Sequence, residues 1–480
     1  MLLGCLAASA AVKLPGIFSN HAVLAKKSVV PVFGKADPGE KVVVSFNGQK
    51  VETVTGKNGK WRVNLNLADS PEGPFELKVN DLVIKDVIVG EVWLCSGQSN
   101  MAYPLQACHG IKEATEKPVG KRLRSFFVKR KSSKVALDEV EGRWGYASKD
   151  SVKNFSGVAY FFGKKLFEEL DRPVGLINSS WGGTDITAWV SWKAIEKVPT
   201  AFKRSLAKDK ITPSKREAVK PTRLYNAMIL PLAPYALNGV IWYQGERNAR
   251  NAHDYAALTR EWVVLWRNIF ENQQLPFYWC SLAAYLGKSA DPNENPNWAL
   301  LREQQTMALE LPYTGQAILT DAGESKNIHP RDKKTPGERL AAIALANVYG
   351  KKIPFAGPQA ESVKVENNKL IIKFKNVGPG LVAAELPAEY DVDSRDKAVI
   401  KKAKIVRNSP ATQLEGFAVC DSNGKYFWAD EAVIKGDCVI VSSKNVANPC
   451  GVRFAWAANP TMNLYNKAGF PAVPFQKKVK

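Results

Sequence analysis

The chain has 480 residues, 45% hydrophobic and 24% charged, so it exceeds a single core and predicts about two to four globular domains. No apolar run approaches the roughly 20 residues that span a bilayer, which excludes a membrane-spanning segment. The net charge of +21 is spread along the chain, its densest cluster (Lys129, Arg130, Lys131, Lys134) is short, and no nucleic-acid motif accompanies it. A generally basic surface is expected, compatible with an acidic glycan.

In chain order, residues 1–12 are an apolar stretch with a small-residue site at Ala8-Ser9-Ala10, the pattern of a cleaved leader. This predicts export to a secreted or periplasmic location. Leu2-Leu3-Gly4-Cys5 also offers Cys5 as a lipid anchor. Residues 13–88 alternate as short strands (Val29–Phe33, Lys41–Phe46, Gln49–Thr55, Trp61–Leu65, Phe75–Val79). Turn signals such as Asn47-Gly48 separate them, and a β-sandwich is expected.

Residues 89–356 change pattern. Strand-length apolar runs (Glu91–Cys95, Leu123–Val128, Val174–Asn178, Gly239–Tyr243, Phe277–Leu282, Gln316–Thr320) alternate with helical stretches (Val158–Leu170, Tyr255–Phe270, Glu338–Tyr349). This alternation predicts a three-layer α/β/α domain with a parallel sheet. Trp262 and Trp266 fall on one helical face and are assigned to the core. Residues 357–480 return to strands and form a C-terminal β-rich region. The cysteines form no CxxC pair and no zinc spacing. Pairs Cys95–Cys108 and Cys438–Cys450 are admissible, as are free thiols.

Ligands of a parallel α/β sheet bind beyond the carboxyl ends of its strands. The residues there are Ser96-Gly97-Gln98-Ser99, then Trp181-Gly182-Gly183, then Gln244-Gly245-Glu246-Arg247-Asn248, and finally Asp321 and His329. A hydroxyl, an imidazole, glycine N–H groups and a side-chain amide are what acyl transfer requires. Of the four histidines, His21 lies in the β-sandwich and His253 precedes a helix. His109 follows Ser99 by ten residues, and His329 follows the last core strand.

The block Gly90-Glu91-Val92-Trp93-Leu94-Cys95-Ser96-Gly97-Gln98-Ser99-Asn100-Met101 resembles the first block of the sialate O-acetylesterase family of SGNH (GDSL-like) hydrolases. Ile177–Thr184, Trp242–Glu246 and Ile328–Lys333 resemble its later blocks, and the likeness covers nearly the whole chain. The resemblance implies hydrolysis of O-acetyl groups on sialic acids or related acetylated sugars, with no metal or organic cofactor. It implies Ser99 as nucleophile and His329 as base. The Ser99 N–H, a glycine N–H at Gly182 or Gly183, and the Gln244 amide would form the oxyanion hole, with Asn248 a competing donor. The sequence departs from the pattern at Asn327 and Lys326, where relatives often carry the acid that orients the histidine. Asp321, Glu324 or Asp332 would then orient it, or a carbonyl would leave a dyad.

Other readings remain at this stage. Acetylated xylan or another acetyl-polysaccharide needs the same chemistry. A glycosidase would use Glu246 and Asp321 as its carboxylate pair, and a non-catalytic glycan-binding protein would need none of these. The net charge favours an acidic substrate, with Arg247 or Arg250 meeting its carboxylate. The sequence carries no signal of oligomeric state.

Overall fold

A computed structural model describes residues 12–210, 217–384 and 414–479. The expected leader up to residue 11, with Cys5, lies outside the described residues.

Near the N-terminus, Asn47 and Gly48 both take positive φ (45° and 78°). They close a hairpin between Lys41–Phe46 and Gln49–Val54, with Phe46 opposite Gln49. Positive φ at both central positions matches the strand twist, which is why this dipeptide makes the turn. Phe75–Val79 pairs with Lys41–Phe46, and a second ribbon joins Val30–Lys35 to Lys60–Leu65.

The central sheet contains β1 (Leu82–Gly97), β2 (Gly120–Val128), β3 (Gly142–Ala147), β4 (Val174–Ser180), β5 (Gly239–Tyr243), β6 (Phe277–Cys280) and β7 (Thr314–Ala317). Their order is β7-β6-β5-β1-β4-β2-β3, parallel except for the antiparallel pair β2–β3. The expected change of pattern at residue 88 falls inside β1, whose first half pairs with Phe75–Val79 and Val23–Ala25.

Residues 87–97 of β1 and all of β4 and β5 are buried, the mark of a sheet covered on both faces. The period of two divides them between two cores. Val92, Leu94, Val240 and Trp242 face one side, and Trp93, Cys95, Ile241 and Tyr243 face the other. The first core is covered by α4 (Tyr255–Ile269) and α5 (Asn297–Met307). The second is covered by α2 (Gly157–Leu170) and α6 (Lys334–Asn347). Trp262 and Trp266 are fully buried against Trp242 and Phe277, as expected of core residues.

Several differences from the sequence reading stand out. The edge strand β3 and the helices α3 (Pro199–Lys210) and α5 were not anticipated, and β7 begins two residues early. β3 reads Gly-Arg-Trp-Gly-Tyr-Ala, and its two glycines hide the strand pattern. Of the two states left open for the cysteines, the structure shows free thiols at all six described positions. Cys438 faces Lys373 and Lys435 across its sheet, and the Cys450 N–H donates to the Cys420 carbonyl instead.

The C-terminal residues form a four-stranded sheet around Gln359–Glu366 and Lys369–Lys375, a second around Phe417–Cys420 and Gly451–Phe454, and a ribbon pairing Leu381–Ala383 with Leu464–Asn466. They are tied to the central domain by Arg302, whose guanidinium donates to the carbonyls of Ala457 and Ala458.

Candidate active site

Register gathers the chemistry. Gly97 of β1 lies opposite Ser180 of β4 on one side and Tyr243 of β5 on the other. The three loops that follow therefore leave the sheet side by side, at the point where chain order reverses across β1. Gly97 has φ +135°, and a Cβ there would fall 2.2 Å from the Tyr243 carbonyl oxygen, so only glycine fits. The chain turns sharply and starts α1 (Ser99–Ala102) with Ser99. On the β4 side, a Cβ on Gly182 would lie 3.1 Å from Ser99 Cβ, so the glycine turn rests against the serine. Ser99, Gly182, Gly183, Asn248 and His329 line one cleft of about 890 Å³.

His329 Nε2 lies 2.7 Å from Ser99 Oγ. The imidazole is held by its own backbone N–H, which donates to Asn327 Oδ1, and by the Tyr103 ring stacked 6.0 Å away at 16°. Burial, and secondarily the Lys333 cation, hold His329 below the usual imidazole range. The imidazole thus stays neutral, and able to accept a proton, to lower pH than a free histidine.

The expected orienters are placed elsewhere. Asp321 forms a two-pronged ion pair with Arg339 and accepts from the Tyr465 hydroxyl. Glu324 accepts from the Arg331 backbone N–H and from Asn327 Nδ2. Asp332 accepts from the N–H and hydroxyl of Thr335 in the first turn of α6. Among the described residues no carboxylate is hydrogen-bonded to His329 Nδ1.

The two candidate amides also part ways. Gln244 is fully buried, and its Nε2 faces Gln98 Oε1, the Thr184 carbonyl and Asn248 Oδ1. Its two amide hydrogens already face three acceptors inside the protein. Asn248 Oδ1 accepts from the Ile186 backbone N–H at 3.1 Å, which fixes the amide with its oxygen inward. Asn248 lines the cleft, and its Nδ2 has no partner among the described residues.

His109 lies outside the cleft, with its backbone N–H bonded to the Arg331 carbonyl. His21 pairs with Asp86 in the N-terminal region. Arg247 and Arg250 are exposed on the cleft wall and carry no ion pair among the described residues. Their neighbours Arg204 and Lys208 are occupied by Asp254 and Asp185. Sequence reasoning assigned no role to Asn100, Tyr103 or Lys333. The first and last stood inside quoted blocks, but nothing local marked them as partners.

A serine hydroxyl on an imidazole, beside a glycine turn and a free amide, is equipped for acyl transfer. The family described as a carbohydrate esterase, sialic acid-specific acetylesterase, matches residues 89–346, which include all of these groups. The chain belongs to the sialic acid-specific acetylesterase family of carbohydrate esterases. It is 31% identical over 399 residues to sialate O-acetylesterase of Homo sapiens, covering 74% of this chain and 75% of that one. The likeness to the Mus musculus sialate O-acetylesterase is again 31%, over 411 residues. Among solved structures, a carbohydrate acetylesterase from Xanthomonas citri superposes with a TM-score of 0.83 at 32% identity, covering 97% of this chain and 99% of that one.

As a member of this family the chain is a carboxylic ester hydrolase, which removes the non-catalytic reading. The glycosidase reading loses its second carboxylate as well, because Asp321 is absent from the cleft that Glu246 borders. No helix among the described residues is long and apolar enough to cross a membrane.

Proposed function

We propose that the chain removes O-acetyl groups from acidic sugars of the sialic acid type, through an acetyl-Ser99 intermediate. The observation that carries the mechanism is the 2.7 Å contact between His329 Nε2 and Ser99 Oγ. Ser99 Oγ attacks the acetyl carbonyl while His329 Nε2 takes its proton. The oxyanion is met by the Ser99 and Gly182 N–H groups and by Asn248 Nδ2. Collapse expels the sugar oxygen, which takes the proton from His329. Water then attacks the acetyl group, gives its proton to His329, and acetate leaves as the serine is restored.

Support for an acidic substrate comes from Arg247 and Arg250, two cleft-lining guanidiniums without an ion pair among the described residues. A carboxylate is their natural bidentate partner. The relatives named sialate O-acetylesterase point the same way. Export fits this reading, supported by the Ala8-Ser9-Ala10 pattern.

The test has two parts. Ser99→Ala is expected to lose roughly 10³-fold or more in activity on an aryl acetate. Full turnover by that variant would remove Ser99 as nucleophile. Wild-type rates are then compared on 9-O-acetyl sialic acid, acetylated xylan and acetylated mannan. Preference for either neutral polysaccharide would reject the sialate substrate while leaving the esterase intact.

A further inference from the structure

The dyad lacks a carboxylate, so something else must keep Ser99 and His329 in register. Asn100 follows Ser99 directly, and its amide spans three loops. Nδ2 donates to the Ile328 carbonyl at 3.0 Å, next to His329, and also to Glu246 Oε1. Oδ1 accepts from Lys333 Nζ at 2.6 Å. Every hydrogen-bonding direction of this buried amide is thus set by a partner that fixes its orientation. One side chain ties the nucleophile's turn to the histidine loop.

Lys333 is the unusual member. It has no exposed surface, yet carries an ammonium. The groups facing it are Cys108 and Cys280, the carboxyls of Glu246 and Asp332, the rings of Tyr103 and Tyr243, and Asn100. No carboxylate oxygen is hydrogen-bonded to its Nζ among the described residues. A purely structural amine at this depth would be better replaced by a hydrocarbon. The groups facing His329 are Ser99, the Tyr103 ring and Lys333. The same Tyr103 ring lies 4.9 Å from Lys333 Nζ and 6.0 Å from the imidazole centre.

We infer that Asn100 and Lys333 are positioning residues for the esterase reaction: Asn100 holds Ser99 and His329 at reacting distance, and the Lys333 cation locks Asn100 and sets its charge toward the imidazole across the Tyr103 ring. This rests on the dyad of the proposed function. In a dyad nothing compensates an imidazolium from behind, so a fixed cation raises the cost of unproductive protonation. The Asn100 bridge replaces the orienting part of what a carboxylate does, while the Lys333 field acts with the opposite sign and holds the resting imidazole in its proton-accepting form.

The experiment is a kcat/KM profile against pH on an aryl acetate. The rings place the cation and the imidazole within about 11 Å of each other, a separation worth roughly one pH unit at an effective dielectric near 20. Lys333→Met is expected to raise the acidic limb by about that unit. Lys333→Gln, which keeps a donor to Asn100 but no charge, is expected to raise it equally. Asn100→Ala is expected to lower kcat about 10- to 100-fold through misplacement, with KM and the limb little changed.

A limb that stays in place in a folded neutral variant at Lys333 overturns the field role. An unchanged kcat in Asn100→Ala overturns the registering role. Ser99→Ala, run alongside, separates these failures from a failure of the dyad itself. If it retains turnover, the dyad is wrong. If it is inactive while the limb stays fixed, only the positioning inference falls.

Discussion

Gln244 Nε2 donates to Asn248 Oδ1 at 2.7 Å, and that one bond divides the labour between the two amides. Gln244 spends its hydrogens inside the protein, and Asn248, its oxygen held, is left with N–H groups free at the cleft. Asn248→Ala is therefore expected to lower kcat by about 10²- to 10³-fold with a small change in KM, the signature of a lost oxyanion donor. Gln244→Ala is expected to act chiefly on stability, since it takes the amide donor from the Thr184 carbonyl and from Asn248 Oδ1 and removes one acceptor from the Tyr255 hydroxyl. Equal kcat losses with unchanged melting temperatures would contradict this division.

Asp321 supplies a second separation of structure from chemistry. Burial raises the proton affinity of its carboxyl, but the Arg339 guanidinium outweighs that and holds Asp321 below the usual carboxylate range. Breaking a buried pair from one side costs about 3–5 kcal/mol. Asp321→Asn is expected to lose stability on that order, while the protein that remains folded keeps kcat within a few-fold of wild type. Chemical denaturation and active-site-normalised kinetics check the two halves. A loss of kcat near 10⁴-fold, as for a removed orienting acid, would restore Asp321 to the catalytic group.

These two cases show where a sequence stops being legible. The α/β alternation and the loops after β1, β4 and β5 could be read directly, because strand burial and turn chemistry are local. Ser99 and His329 stood out because few residue types suit acyl transfer, and the fold brings them to hydrogen-bond distance. Gln244 and Asn248 are four residues apart and chemically alike. Only the Ile186 N–H and the Thr184 carbonyl, more than fifty residues away, decide which amide is spent. The expected orienter is the same kind of problem, since Asp321 is engaged by Arg339 of α6 and by Tyr465 of the C-terminal region. The polar helix α3 escaped notice because its surface position gives it little apolar patterning.

Arg247 and Arg250 should discriminate among substrates. With both replaced by Gln, activity on 9-O-acetyl sialic acid is expected to fall about 10- to 100-fold in kcat/KM, as charge-assisted bonds to a carboxylate are lost. Activity on a neutral acetyl-sugar is expected to hold. The measured quantity is the ratio of the two kcat/KM values, and an unchanged ratio rejects the carboxylate contact.

Lys333 predicts a pH dependence of stability. Burial brings its pKa down from 10.5 to about 8, so the folded state binds fewer protons than the unfolded state between those values. Stability then rises with pH across that interval and is penalised below it, by roughly 3 kcal/mol at neutral pH. Lys333→Met carries no such penalty. It is expected to gain stability relative to wild type at pH 7, and the advantage is expected to shrink as pH rises from 8 toward 10.5. Melting temperatures at several pH values check this, and a pH-independent difference would argue against a charged, buried amine.

Cys420 and Cys450 make the last case, because they are far apart in sequence and neighbours in the fold. The Cys450 N–H donates to the Cys420 carbonyl at 2.9 Å, and both thiols are directed at the Asp421 carbonyl. Exchange with a disulfide such as oxidised glutathione would join the two sulfurs and release two reduced thiols, so the reaction balances without another oxidant. A cross-link closing a loop of about 30 residues restricts the unfolded chain by about 3–4 kcal/mol. Oxidised protein is expected to lose two titratable thiols, melt at a higher temperature, and yield a Cys420–Cys450 linked peptide under non-reducing digestion. Cys420→Ser is expected to abolish the rise. Recovery of a Cys438–Cys450 peptide instead would show that the strands around Cys420 do not sit as described.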